Sequence, residues 1–316
     1  MEINEITIGT RGSILALVQA KKVKKMLTEK YEELRKRNDF NGIKGFDKNF
    51  PLKVNLEVIT TSGDKNLKDF AKMKKAIQKD LFVKEIEKEM IENKVDLAVH
   101  SLKDMPLRTP EGLLNACFPI REDNRDVLVS RNGLKLKELP ENSIIGTGSF
   151  RREKEILNLR KDVQVKPIRG NIHTRLKKLD DGEYDAIVLA AAGLKRAELE
   201  DRITEYFDVD TFMPAPGQGI LCIQCRENDE RIRGMLEIIN DREVTLMCEA
   251  EREFSRIFNG GCHTPIGCSS VIEGDILKLK GMYSKNGKRI FKQVEGDKNQ
   301  ARELAEKLAG EIRNEQ

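Results

Sequence analysis

The sequence predicts an α/β protein with more than one domain. Short apolar runs rich in β-branched residues, typical of buried strands, alternate with longer segments whose apolar residues recur every three or four positions, typical of helices. The arrangement of strand, glycine-containing turn and helix start at residues 6–13 recurs at residues 144–152. A chain of 316 residues is long enough for two or three domains that each bury a core.

Charge and composition exclude several classes of protein. Charged residues make up 35% of the chain and balance to a net charge of +4, which permits anionic ligands without a strong field of one sign. Four Tyr and no Trp leave few platforms on which nucleic-acid bases could stack. No apolar run reaches the roughly 18 residues of a membrane span, and the first residues lack the pattern of a signal peptide. We therefore expect a cytoplasmic protein without nucleic-acid or membrane partners, whose six Cys are reduced.

The first strand–turn–helix unit is a candidate anion site. Residues 6–9 form an apolar strand, residues 10–13 a turn, and Ser13 is placed to cap the helix that follows. Such a turn presents unpaired backbone N–H groups and the positive end of a helix dipole, to which Arg11 adds a fixed charge suited to a carboxylate. An ordinary capped turn explains the same pattern.

Two polar segments interrupt the next part of the chain. Residues 35–51 are polar and predict an excursion over the surface, before residues 54–58 alternate as a second strand. Residues 66–79 are rich in Lys and predict either a mobile flap over a site or a solvated loop.

The stretch around residue 100 is the strongest candidate for a catalytic site. A helix over residues 81–93 leads into an apolar strand over residues 95–99, and His100, Lys103 and Asp104 follow directly. Ligands of open α/β sheets bind beyond the carboxyl ends of the strands, so a catalytic carboxylate is expected here. The alternative is that His100 and Asp104 only satisfy each other at a strand end.

The second strand–turn–helix unit carries arginines at its turns. Arg151 and Arg152 begin a helix, where their charge opposes the helix dipole, so their presence favours an anionic ligand. Arg169, Arg175 and Arg196 follow near the ends of further strands. Scattered surface charges would account for the number of these arginines but not for their placement.

The last third of the chain returns to the first sheet and then forms a small unit. A turn over residues 213–219 precedes a strand over residues 219–226, which we expect to join the first sheet; Cys222 and Cys225 then face opposite sides, which disfavours a zinc site. A helix over residues 241–257 ends at Gly260 and Gly261. Strands over residues 276–283 and 289–294 and a helix over residues 300–312 complete the chain.

Taken together, these motifs resemble the porphobilinogen deaminase family, also called hydroxymethylbilane synthases, over nearly the whole chain. The His-Ser-x-Lys-Asp pattern that ends at Asp104 is one of nine ordered matches. The matching segments are residues 8–13, 61–64, 81–85, 96–106, 145–152, 168–171, 191–196, 216–219 and 260–262.

The resemblance implies a fold, a reaction and a cofactor. The first two domains would be built like type II periplasmic binding proteins with a cleft between them, over residues 1–119 with 218–238 and residues 120–217. A third, small α/β domain over residues 239–316 would carry a dipyrromethane cofactor in thioether linkage to Cys262. The protein would be a monomeric transferase of porphyrin and haem biosynthesis. It would join four porphobilinogen molecules to the cofactor with release of ammonia, and then release linear hydroxymethylbilane by hydrolysis.

The resemblance also assigns roles to residues. Asp104 would be the catalytic carboxylate, stabilising positive charge on a pyrrole and moving protons. Because each porphobilinogen brings an acetate and a propionate, the family needs cations that bind carboxylates. Besides Cys262, the cofactor would be bound by Arg11, Ser13, Lys103, Ser149, Arg151, Arg152, Arg169 and Gly170. Substrate would be bound by Asp64, Lys79, Arg175 and Arg196. No metal is implied.

Two departures from the family and one rival interpretation remain. Gln78 and Asp80 stand where the family usually has glycines, which predicts a stiffer flap. The polar segment over residues 35–51 resembles an insertion, to which no function is assigned. The rival is a non-catalytic cytosolic binder of a small anion, two α/β lobes in which Cys262 is an ordinary thiol. An intact-mass measurement separates the two, because only the enzyme carries an adduct at Cys262.

Overall fold

The computed structural model describes residues 4–40, 43–61, 75–258, 265–285 and 288–315, with side chains from residue 83 onward in the helix that begins at residue 75. The chain divides into two compact units. Unit 1 comprises Met1–Ile120 and Ile220–Thr245, and unit 2 comprises Arg121–Gly219 and Leu246–Gln316. The three-domain boundaries given above stay a prediction.

Strands and helices alternate through most of the described chain, which confirms the α/β class. The strands are β1 (Glu5–Arg11), β2 (Lys53–Ile59), β3 (Leu97–Ser101), β4 (Leu113–Cys117), β5 (Asp126–Ser130), β6 (Ile144–Gly146), β7 (Gln164–Lys166), β8 (Ala186–Ala190), β9 (Glu205–Tyr206), β10 (Leu221–Arg226), β11 (Ile266–Glu273), β12 (Ile276–Lys285) and β13 (Lys288–Asp297). The helices are α1 (Ile14–Arg37), α2 (Lys75–Ile91), α3 (Phe150–Leu159), α4 (Ile172–Asp180), α5 (Ala191–Arg196), α6 (Glu230–Glu237), α7 (Arg242–Ile257) and α8 (Ala301–Arg313). Among them, none has both the length and the apolar character needed to cross a membrane.

The sheet of unit 1 has the order β2-β1-β3-β10-β4. β1 pairs in parallel with β2 and β3, while β10 is antiparallel to β3 and β4, so the predicted return of the chain to the first sheet is confirmed. Apolar side chains of α1 and α6 pack on one face of the sheet, and those of α2 pack on the other. β3 runs two residues past the predicted strand because β10 pairs with it as far as Ser101.

Two segments of unit 1 are more regular than their polar sequences predict. α1 continues to Arg37, and within the predicted excursion Ile43 is buried and Phe46 packs against the core. The Tyr31 hydroxyl donates to the Asp47 carbonyl oxygen at 3.0 Å, and Asn4 binds the same loop beside the amino end of β1. α2 begins six residues before the predicted helix, at Lys75. Glycine is the least favourable helix residue after proline, so its absence at 78 and 80 permits this extension.

Unit 2 contains a sheet of the same design and a smaller one. The order β7-β6-β8-β5-β9 repeats the pattern of unit 1, with β6 parallel to β7 and β8 and with β5 antiparallel to β8 and β9. The antiparallel sheet β11-β12-β13 packs against α7 and α8. The hairpin strands β12 and β13 confirm the prediction. β11 was not predicted, because its first half is a run of small and polar residues without alternation.

Candidate active site

A short turn after β3 presents the Asp104 carboxylate to solvent. Leu102, Lys103 and Asp104 form a single 3₁₀ turn. The Leu102 N–H donates to the Ile220 carbonyl oxygen at 3.0 Å, and the Met105 N–H donates to that of Leu102 at 3.0 Å. Leu102 and Met105 are buried while Asp104 is exposed, so apolar anchors on either side hold the carboxylate outward.

His100 lies inside the protein and does not pair with Asp104. Its side chain is buried, and its Nε2 atom has no hydrogen-bond partner among the described residues. Burial, with a smaller contribution from the charge of Arg11, brings the pKa of His100 down to about 4, while a hydrogen bond with Gln224 opposes the shift. The imidazole is therefore neutral near pH 7. The alternative in which His100 and Asp104 satisfy each other is wrong.

Three further predicted residues of unit 1 lie at the same edge of the sheet as Asp104. β1 and β3 are parallel neighbours in register Ile8 to Leu97, so Arg11, the last residue of β1, and the turn after β3 both lie at carboxyl ends of strands. Ser13 caps α1, its Oγ accepting from the Ala16 N–H at 3.3 Å, which confirms the predicted cap. A capping hydroxyl keeps its own hydrogen to donate. Together with Lys103, this edge offers cationic and hydroxyl donors beside one carboxylate.

Arg151 and Arg152 are buried and share a carboxylate that the sequence did not reveal. Ser149 caps α3, its Oγ accepting from the Arg152 N–H at 3.4 Å. Asp126 at the start of β5 accepts from Arg151 Nη2 at 2.7 Å and from Arg152 Nε and Nη2 at 3.0 and 2.7 Å. The positive charges of Arg151 and Arg152 at the start of α3 are therefore balanced first by an anion within the protein, the carboxylate of Asp126.

Asp126 is ionised despite its burial. Burial alone raises the pKa of a carboxyl group, but the charges of Arg151 and Arg152 and a hydrogen bond from Gln218 outweigh it and bring the pKa of Asp126 down to about 2. The Gln218 amide donates to Oδ1 of Asp126 at 2.9 Å. The cluster of Asp126, Arg151 and Arg152 therefore carries two positive charges and one negative charge near pH 7.

The loop between β7 and α4 brings two more predicted residues to a strand end. Asn171 caps α4, its Oδ1 accepting from the Thr174 N–H at 2.9 Å. Gly170 has φ 113°, and a Cβ atom there would lie 2.7 Å from a methyl group of Thr174, so only glycine fits. The Arg175 Nε donates to the Gly170 carbonyl oxygen at 2.8 Å, and Arg169 is exposed.

The Arg196 side chain is buried rather than exposed at the surface. Its Nη2 donates to the Gly219 carbonyl oxygen at 2.6 Å, and its buried Nε has no partner among the described residues. Burial lowers the pKa of Arg196 to about 10, against the opposing effect of Glu122. The guanidinium is still charged near pH 7, and its Nε, though enclosed by protein, is a donor that no described residue uses.

Three predicted residues cannot be placed. Cys262, Asp64 and the Lys79 side chain lie outside the described residues, as does most of the Lys-rich segment over residues 66–79. The described cysteines, Cys117, Cys222, Cys225, Cys248 and Cys268, are all buried, and none forms a disulfide. Within the described ranges, no group of His, Cys, Asp or Glu has the arrangement of a metal site.

The donors present fit the carboxylates of a dipyrromethane. Each guanidinium carries five N–H donors. Within the described part of the chain, two of those on Arg151 and three of those on Arg152 are taken by Asp126 and by the carbonyl oxygens of Met213 and Val188. The remaining N–H donors of Arg151 and Arg152, the Ser149 hydroxyl and the exposed Arg169 can therefore donate hydrogen bonds to an anionic group.

Capped turns with arginines at the strand ends of two similar sheets define an anion-binding α/β protein. The chain belongs to the porphobilinogen deaminase family. Residues 6–234 match the family model described as the dipyromethane cofactor binding domain of porphobilinogen deaminase, and residues 245–314 match its C-terminal domain.

Curated relatives match along nearly the whole chain. The porphobilinogen deaminase of Fusobacterium nucleatum is 48% identical over 309 residues, covering 98% of this chain and 97% of the relative. That of Clostridioides difficile is 41% identical over 307 residues, covering 96% and 95%. Among solved structures, a lipoprotein of the YaeC family from Enterococcus faecalis has a TM-score of 0.42 at 15% identity, covering 81% of this chain and 97% of that one. A likeness of that degree says nothing about function.

Proposed function

We propose that this chain is a hydroxymethylbilane synthase, which condenses four porphobilinogen molecules onto a covalently bound dipyrromethane and then hydrolyses off the linear tetrapyrrole. The observation that carries the proposal is the Asp104 turn. It ends the family's His-Ser-x-Lys-Asp pattern, and buried Leu102 and Met105 hold its carboxylate outward at an edge that also bears Arg11 and Lys103.

Asp104 is the proposed catalytic residue. Loss of ammonia from porphobilinogen leaves positive charge on a pyrrole, and a fixed carboxylate stabilises that charge as it develops. The same carboxylate accepts hydrogen bonds from pyrrole N–H groups. It can also take up a proton when the bond between two pyrrole units forms. The buried, neutral His100 does not act as its acid–base partner.

The proposed binding roles divide between the two units. The dipyrromethane, when bound, supplies the primer to which the first substrate is joined. Arg11, Ser13 and Lys103 in unit 1, and Ser149, Arg151, Arg152, Arg169 and Gly170 in unit 2, are proposed to bind its carboxylates. Arg175 and Arg196, with Lys79 and Asp64, are proposed to bind substrate, and Cys262 to form the thioether. A monomeric state and a cytoplasmic location, carried over from the family, are proposals as well, to be tested by sedimentation and by cell fractionation.

Intact mass and porphobilinogen consumption test the proposal together. We expect the purified protein to be heavier than its sequence by one dipyrromethane and to consume porphobilinogen. Cys262→Ser, whose hydroxyl nearly matches the thiol in size, should fold, lack the adduct and be inactive.

The matched control is Cys268→Ser. Burial raises the pKa of the Cys268 thiol well above its usual value, which disfavours the reactive thiolate. This variant should therefore keep the adduct. A wild-type protein without adduct that ignores porphobilinogen would favour the non-catalytic anion binder instead.

A further inference from the structure

Asp126 joins two arginines that the helix would otherwise separate. Arg151 and Arg152 are successive residues of the first turn of α3, and successive side chains of a helix point about 100° apart. Both guanidinium groups nevertheless reach one carboxylate, Arg151 at Oδ2 and Arg152 at Oδ1. A single fully buried group thus sets the direction of two side chains.

The other contacts of these side chains leave them little freedom. Arg151 Nη1 donates to the Met213 carbonyl oxygen, and Arg152 Nη1 donates to that of Val188 at 3.0 Å. The Gln218 amide, which also donates to the Asn124 carbonyl oxygen at 2.8 Å, fixes Asp126 from the other side. The remaining guanidinium donors therefore occupy fixed positions before any ligand arrives.

Without the Asp126 charge, this arrangement does not persist. Two guanidinium groups within reach of one oxygen pair repel each other, and burial raises the cost because little water screens them. Among the described residues, an uncharged replacement would leave Arg152 without a counterion and Arg151 with only the carboxyl group of Glu155, which lies near it but makes no direct ion pair with it. We expect at least one of them to turn away from its present position.

We propose that Asp126 is a positioning residue for cofactor assembly, holding Arg151 and Arg152 side by side so that their remaining donors receive the carboxylates of the dipyrromethane. The inference rests on the proposed function, since it assigns these arginines to the cofactor. It adds a residue that touches neither cofactor nor substrate and acts only through the two guanidinium groups.

Two substitutions test the role of Asp126. Asp126→Asn keeps the shape, removes the charge and directs amide hydrogens at guanidinium hydrogens. Asp126→Glu keeps the charge but displaces it by one methylene group. For each variant we would measure the thermal midpoint, the fraction of folded molecules that carry the adduct, and the mass gained over time by the unloaded fraction on incubation with porphobilinogen.

Glu251→Gln is the matched control. Glu251 is also a fully buried carboxylate, held by Arg121 at 2.7 and 3.1 Å and by the Gly217 N–H at 2.6 Å, and it contacts neither Arg151 nor Arg152. Both Asp126→Asn and Glu251→Gln should lower the thermal midpoint. Only the Asp126 variants should load slowly, with Asp126→Asn slowed about tenfold or more, as the loss of a charge-assisted hydrogen bond predicts.

Each outcome decides the matter. Equal adduct fractions in folded Asp126→Asn and folded Glu251→Gln would make Asp126 an ordinary structural ion-pair partner and overturn the inference. If Asp126→Asn does not fold, loading of Asp126→Glu at the wild-type rate overturns it in the same way. A wild-type protein that neither carries the adduct nor gains mass with porphobilinogen would instead remove the proposed function itself.

Discussion

Asp104 and His100 are four residues apart, and the fold gives them opposite surroundings. Asp104 is exposed on a turn, whereas His100 is buried between strands, where desolvation and the charge of Arg11 keep it neutral. Of the titratable groups first considered at this strand end, only Asp104 is placed to meet a substrate as an anion. The chemistry of the turn therefore depends on one carboxylate.

Replacing Asp104 should abolish most turnover without removing the cofactor. Asp104→Asn keeps shape and hydrogen bonding but loses the charge that stabilises a pyrrolic cation, an electrostatic loss of about 3–4 kcal/mol, or roughly 10²–10³ in rate. Asp104→Glu returns the charge at a displaced position and should recover a small part of the rate. Porphobilinogen consumption and intact mass, measured on the same samples, check both expectations.

Glu111→Gln provides the control for Asp104. Glu111 is an exposed carboxylate of unit 1 just before β4, at the opposite edge of the sheet from Asp104. The Glu111→Gln substitution should leave turnover of porphobilinogen unchanged. Normal turnover by Asp104→Asn would reduce Asp104 to a structural part of its loop.

At the scale of elements, the described part of the chain contains the same corner three times: a strand, a turn that contains glycine, and a helix with a side-chain cap. The caps are Ser13 before α1, Ser149 before α3 and Asn171 before α4. Each cap satisfies a helix N–H and leaves others directed at the strand edge, so each corner is suited to a carboxylate. Rigidity of the corner is what keeps its arginines in place.

Gly170→Ala and Gly310→Ala should change stability in opposite directions. Gly170 has positive φ and lacks space for a Cβ atom, so alanine there strains the backbone and crowds Thr174, at a cost of about 1 kcal/mol or more in the free energy of unfolding. Gly310 lies inside α8, and a Cβ atom there meets nothing within 4 Å. Alanine at 310 should stabilise by about 0.5–1 kcal/mol. Denaturant unfolding of the two variants checks the pair, and stabilisation by Gly170→Ala would contradict the strained-turn account.

At the scale of the whole molecule, buried ionisable groups make stability depend on pH in separate windows. His100, with a folded pKa of about 4 against an ordinary 6.5, stays neutral when the unfolded chain binds a proton. Its contribution is present above about pH 6.5 and is lost as the pH falls towards 4, by about 3 kcal/mol in all. Asp126, with a pKa lowered to about 2, loses its contribution only at lower pH, below about 4.

His100→Gln should flatten the pH dependence of stability between pH 7 and pH 5. The glutamine side chain does not titrate, so the unfolded chain no longer binds a proton at position 100 that the folded protein does not bind. Urea unfolding at a series of pH values measures the slope. His173→Gln, at an exposed position of α4, is the control and should keep the wild-type slope. An unchanged slope in His100→Gln would mean that the pKa of His100 is the same in the folded and the unfolded chain.

The sequence by itself determined most of the order of strands and helices, the Ser13 cap and the turn that carries Asp104. These features depend on neighbouring residues: periodicity of apolar side chains, capping by Ser, and glycines in turns. It also identified the arginines at the strand ends and, by resemblance, the family.

Only the tertiary structure decided which groups those arginines meet. Asp126 lies 25 residues before Arg151 in the chain, and their contact exists because β5 and the start of α3 come together in the folded unit 2. In the same way, the fold buries His100 while it leaves Asp104 exposed, and it brings the Gly219 carbonyl oxygen to accept a hydrogen bond from Arg196. Local sequence patterns carry no record of such contacts, because sheet order and desolvation are properties of the assembled fold.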